Sequence, residues 1–217
     1  MRASPVFRSL PPFRRAALAF SLAAVLLNML LGDQPIAAHL VLGPAFPAEP
    51  WQPLTAALFF PGRLDGIVGT VLVQWVFGSA VEKRWGPARY LGLVLGAGVT
   101  GYLLTALIGL AAPLLLAHPQ GGTVPADLAA ITAFGVAFAR QPLRFFGAID
   151  LSGRGLALLI GGVTFLAPLL RGAPWPTALP GAIAVLLTLL LVARPWRRPS
   201  ASGKLPGKRP SHLRVVH

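Results

Sequence analysis

Apolar residues in this chain gather in runs, separated by short stretches rich in proline, glycine and charge. Six runs stand out: Ala16–Gly32, Gly66–Val81, Tyr90–Leu110, Ala126–Ala139, Gly155–Leu170 and Ala178–Ala193. Each reads as a helix, because a bilayer offers no water to backbone N–H and C=O groups and a helix satisfies them internally. Most runs fall a little short of the roughly 20 residues that an isolated span needs. A short span survives where neighbouring helices cover it, so Ala126–Ala139, the shortest, is expected to be held inside a bundle. The pattern predicts an all-α fold: a polytopic membrane helix bundle with six transmembrane helices, over residues 16–193. A basic N-terminus, 1–15, precedes it, and a Pro-, Ser-, Lys- and Arg-rich tail, 194–217, is expected to be disordered. The first run is also readable as the apolar part of a signal peptide, but no clean small-x-small site follows and its length reaches that of a span.

The linking stretches carry their own expectations. Residues 33–65 form a long outer loop with Phe46, Trp51, Phe59 and Phe60 among prolines, a composition suited to the bilayer interface. Glu82, Lys83 and Arg84 are read as a tight cytoplasmic hairpin whose charges stay in water, with Trp75 and Phe77 anchored near the interface. Gly92, Gly96, Gly98 and Gly101 in the third run allow close helix approach, and Gly92 and Gly96 form a small-xxx-small face.

Composition sharpens this picture. Of 217 residues, 55% are hydrophobic and 12% charged, and the mean hydropathy is +0.69; a soluble domain carries about 25% charged residues. The net charge of +13 would suit nucleic acid, but its placement argues otherwise. With the N-terminus inside and six spans, all of the 19 Lys and Arg residues except Arg63 and Arg171 fall on the cytoplasmic face. Both termini are then cytoplasmic, and the partner of the charge is the anionic lipid bilayer rather than nucleic acid. The lack of cysteine excludes disulfides, thiolate metal sites and a cysteine nucleophile. The six acids are read as spread one per loop, without paired carboxylates or metal-ligand histidine spacing, so no metal is expected. The glycines at Gly96 and Gly98 follow no strand, so no nucleotide or other cofactor is expected either. Asn28, Thr70, Gln74, Thr100 and Thr105 are polar but uncharged, and hydrogen bonding between helices accounts for them.

One succession of residues is more specific. Trp51 and Thr55, then Phe59, then Trp75 and Gly78, then Glu82, Gly86 and Arg89 follow one another in an order and spacing that resembles the rhomboid family. The resemblance covers about Trp51–Leu103 and implies a six-helix membrane domain and intramembrane serine proteolysis. It implies a serine opening span four as nucleophile, a histidine in span six as base, and a His-x-x-x-Asn pair in span two at the oxyanion. In this chain the span-two pair falls on Gly66 and Thr70, and the family's histidine after Phe59-Phe60 falls on Pro61. The nucleophile position falls on Ala130 if Phe134-Gly135 sets the register, or on Leu128 if Val136–Arg140 does. The span-six histidine falls near Ala178. Independently of register, His39, His118, His212 and His217 all lie outside the apolar runs, and only Ser21 and Ser79 among the serines touch them. Ser152, in Asp150-Leu-Ser-Gly, is read as a turn and helix cap rather than a nucleophile. The expectation is a rhomboid-like protein without the Ser–His dyad, a pseudoprotease that binds or retains transmembrane segments of client proteins. A working intramembrane serine protease and a structural membrane assembly factor are the alternatives.

Overall fold

A computed structural model describes residues 12–60, 64–145 and 149–193. The basic segment up to residue 11, Pro61, Arg63 and the tail 194–217 lie outside the described residues. In chain order the helices are α1 Arg15–Leu31, α2 Ala37–Leu40, α3 Gln52–Ala56, α4 Leu64–Val73, α5 Ser79–Trp85, α6 Pro87–Ala111, α7 Val124–Ala137, α8 Gly153–Leu170 and α9 Leu179–Ala193. A π-helical turn, Gln74–Gly78, joins α4 to α5 into one rod, and a 3-10 turn, Trp175–Ala178, leads into α9. Every one of the six apolar runs lies largely on helix.

The helix boundaries follow from local chemistry. Gly86 ends α5 with φ +85, a left-handed conformation that L side chains rarely adopt, and its N–H donates to the Glu82 carbonyl at 2.8 Å. Pro87 then opens α6, where its missing N–H costs nothing. Ser152 caps α8: its hydroxyl accepts from Gly155 N at 3.0 Å, as the sequence suggested.

The shortest long helix is the centre of the bundle. α7 packs against α6, α8, α9 and the α4–α5 rod, and Pro125 through Ile131, with Ala133, Phe134 and Gly135, are buried. Phe134 meets Phe77 edge-on at 5.0 Å. The surrounding helices turn large apolar side chains outward, among them Leu26 and Met29 of α1, Leu158 and Val163 of α8, and Leu186 and Leu190 of α9. So wide an apolar exterior fits hydrocarbon rather than water. By length and composition, Pro87–Ala111, Gly153–Leu170 and Trp175–Val192 can cross a membrane; Arg15–Leu31 and Val124–Ala137 are apolar but shorter.

The all-α architecture carries one small addition, since Pro142–Phe145 (β1) and Ile149–Ser152 (β2) pair antiparallel between α7 and α8. Four expectations need correction. The stretch 33–60 is more than a loop: it holds α2 and α3, packs Ala56 and Ala57 against Tyr102 and Ala106 of α6, and pairs Leu42 with Gln120. Glu82 is not in water. It is buried, and its carboxylate accepts from the backbone N–H of Ala16 at 3.1 Å and of Ala17 at 3.0 Å, capping α1 from a neighbouring helix. Phe77 lies in the core instead of at the interface, whereas Trp75 stacks on Phe13 at 6.2 Å. Finally, Gly92 and Gly96 face open space, and the close approaches belong to Gly98 and Gly101. A Cβ on Gly101 would lie 2.6 Å from the carbonyl oxygen of Pro180 at the start of α9.

Candidate functional site

Between α4, α7, α8 and the start of α9 lies a cavity of about 300 Å³. Gly66 and Thr70 line it from α4, Asp127 from α7, Phe165 and Pro168 from α8, and Ala178 from the turn before α9. Three of the positions taken from the resemblance, Gly66, Thr70 and Ala178, therefore border one space. The two candidates for the fourth do not border it. Ala130 is fully buried in the main core cluster, and Leu128 packs its Cδ1 where a Cβ on Gly181 would lie, 2.9 Å away. The α7 side chain that reaches Thr70 is Asp127.

Asp127 organises a buried polar network. Its Oδ2 accepts from the Thr70 hydroxyl at 2.9 Å and the Thr123 hydroxyl at 3.0 Å, and the two hydroxyls also touch each other. Its Oδ1 accepts from Gln74 Nε2 at 2.7 Å. The amide oxygen of Gln74 in turn accepts from the Tyr90 hydroxyl. Thr70 and Gln74 are four residues apart, which places them on one helix face, and the π turn begins where that face meets α7. Asp127 and Gln74 are both buried, so the network is screened little by solvent and each member is costly to leave unpaired.

A second polar group borders the same cavity. Gln120 is buried; its Nε2 donates to the Leu115 carbonyl, and its backbone exchanges hydrogen bonds with Leu42 at 2.8 Å each way. Among the described residues its Oε1 is buried without a hydrogen-bond partner.

The serines and histidines stand apart from this space. Ser21 donates to the Ala17 carbonyl at 2.9 Å, Ser79 accepts from Arg14 N at 3.1 Å, and Ser152 caps α8. His39 sits on the exposed side of the outer segment, its Nδ1 2.5 Å from Glu49 Oε1, and His118 is an exposed loop residue. His212 and His217 lie outside the described residues. Among the described residues no imidazole bonds a serine hydroxyl, the pairing that activates a serine nucleophile. Nor do the described residues contain a cluster of three or more His, Asp or Glu side chains suited to a metal ion.

The remaining residues of the resemblance do not line the cavity. Trp51 Nε1 donates to the His39 carbonyl at 3.1 Å, the Thr55 hydroxyl to the Trp51 carbonyl at 3.3 Å, and Phe59 is fully buried. Gly78 lies under the Tyr90 hydroxyl, which would stand 2.6 Å from a Cβ there. Arg89 borders a separate groove of about 400 Å³ with Trp85 and Gly92. Sequence reasoning missed Asp127 by counting it as a loop acid. The available signal was its position inside the fourth apolar run together with Thr70 and Gln74, a helical turn apart in the second.

A family model described as the rhomboid domain matches residues 47–195. The rhomboid proteases GlpG from two strains of Klebsiella pneumoniae, ATCC 700721 / MGH 78578 and 342, are each 34% identical to the chain over 95 residues. The match covers 42% of this chain and 34% of each relative, so the chain spans about a third of the length of the curated relatives it matches.

Proposed function

This chain belongs to the rhomboid family, and from that premise we propose that it is a member without proteolytic activity that binds or retains transmembrane segments of other proteins. The observation that carries the reading is the composition of the cavity. Where the resemblance calls for histidine, asparagine and histidine, the wall offers Gly66, Thr70 and Ala178, and the α7 residue facing them is Asp127. Acyl transfer needs a nucleophile beside a base of suitable strength and donors aimed at the oxyanion. Threonine hydroxyls that donate to a carboxylate have no imidazole to take their proton.

In this reading the six helical rods (α1, α4–α5, α6, α7, α8 and the 3-10 turn with α9) each cross the bilayer. The distribution of Lys and Arg then sets both termini in the cytoplasm. Clients reach the cavity from the lipid between α4 and α8, whose residues form its facing walls. The test is incubation of the full chain in proteoliposomes with a model transmembrane substrate and a fluorophosphonate probe. No labelling and no cleavage are expected. Labelling that disappears on replacing one serine identifies a working protease, the activity that the names of the two Klebsiella relatives describe, and refutes this reading.

A further inference from the structure

The acceptors around the cavity carry the argument one step further, on the premise that the cavity receives client helices. We propose that it holds the ammonium or guanidinium group of a lysine or arginine carried in a client's transmembrane segment, with Asp127 and Gln120 as its acceptors.

The chemistry of the lining supports a donor. A carboxylate is an acceptor with about four lone-pair sites. Among the described residues, Thr70, Thr123 and Gln74 account for three contacts to Asp127. Gln120 Oε1, bordering the same space, is buried and accepts from no group among the described residues. Two buried acceptors with spare capacity favour a ligand that brings N–H groups, since an unmet buried acceptor is costly. The wall opposite is apolar, with Phe165 and Pro168, and suits the aliphatic stem of a long basic side chain. A basic residue inside a bilayer segment is unfavourable in lipid, so a protein site that pairs it captures that energy as affinity. Arg171 also borders the cavity. It is exposed at the C-terminal end of α8, while Asp127 is buried. The buried acceptors therefore set the preference.

The experiment uses the full chain with a benzophenone amino acid in place of Phe165. The vesicles contain phosphatidylcholine and phosphatidylglycerol, lipids that supply no primary ammonium. Two synthetic Leu/Ala helices are compared, identical except for one central lysine or its uncharged analogue norleucine. Capture of the lysine helix should exceed that of the norleucine helix roughly tenfold, in keeping with a charge-assisted hydrogen bond. Asp127→Asn and, separately, Gln120→Leu should each erode the preference. Equal capture of the two helices by the otherwise unsubstituted chain overturns the proposal but leaves client binding standing. Capture of neither removes client binding as well. A lysine preference untouched in both variants overturns the assignment of the acceptors. The first comparison needs no further substitution, so it holds even if a variant fails to fold.

Discussion

Replacing Glu82 should unseat the beginning of α1. The carboxylate accepts two backbone N–H groups, Ala16 at 3.1 Å and Ala17 at 3.0 Å, and all three residues are buried. Losing a cap costs about 1 kcal/mol per hydrogen bond. Removing a partly buried negative charge from a helix N-terminus costs up to about 2 kcal/mol more. Glu82→Ala should therefore destabilise the protein by about 3 kcal/mol, because both amides lose their acceptor in a place water hardly reaches. Glu82→Gln keeps one acceptor oxygen and loses the charge, so it should fall between the two at about 1–2 kcal/mol. The measurement is reversible unfolding in mixed micelles followed by tryptophan fluorescence. A local reporter is at hand, since Trp75 stacks on Phe13, two residues before α1 begins. The stacked signal should be lost before the global transition in Glu82→Ala. A Glu82→Ala protein within about 0.5 kcal/mol of the parent, the range of an ordinary surface change, would refute the capping role. So would a Glu82→Gln protein less stable than Glu82→Ala.

Other outcomes follow from the packing. Gly101→Ala should cost about 1–3 kcal/mol in a micellar thermal or denaturant melt, because its Cβ meets the Pro180 carbonyl at 2.6 Å. Gly92→Ala meets nothing within 4 Å, so it should be neutral or stabilise by up to about 1 kcal/mol through helix propensity. Asn28 donates to the Leu58 carbonyl at 3.0 Å and accepts from Phe60 N at 2.6 Å; Asn28→Leu should release the end of the outer segment and make residues 52–60 more sensitive to protease added to that side. The hydrogen bond from His39 holds the Glu49 carboxyl below its ordinary value of 4.5. A depressed carboxyl contributes stability above its unfolded pKa and loses it as pH falls through the lower folded value, so the protection factors of the Gly43 and Gln52 amides, corrected for intrinsic exchange, should fall as pH drops below about 4.5. Glu49→Gln should remove that dependence.

How much of this could be read from the residues alone differs from element to element. The six runs marked the long helices because length and apolarity suffice to specify a helix in lipid. The burial of α7 was legible too, as a helix of 14 residues is too short to stand alone. Which faces meet was not legible. Lipid and protein core are equally apolar, so α6 carries no stripe to separate Gly101 from Gly92. Glu82 and Asp127 were misjudged for a related reason. Charge in a sequence usually means water, but a carboxylate can also be satisfied by helix N–H groups, hydroxyls and an amide brought from distant runs. The pairing of β1 with β2 and the short helices α2 and α3 were missed because their signals are local and brief, and the first is bounded by no alternating pattern.

The π turn at Gln74–Gly78 acts as a phase shifter. An α-helix advances about 100° per residue, and one extra residue in a turn rotates all that follows by that angle relative to an unbroken helix. The same rod can thereby aim Thr70 and Gln74 at α7 and Glu82 at α1, two bearings that need not lie on one stripe. Shortening the turn by a single residue would swing one set out of line while barely altering composition and hydropathy, so a frame of one residue, more than any particular side chain, couples the anchoring of the first helix to the shape of the cavity.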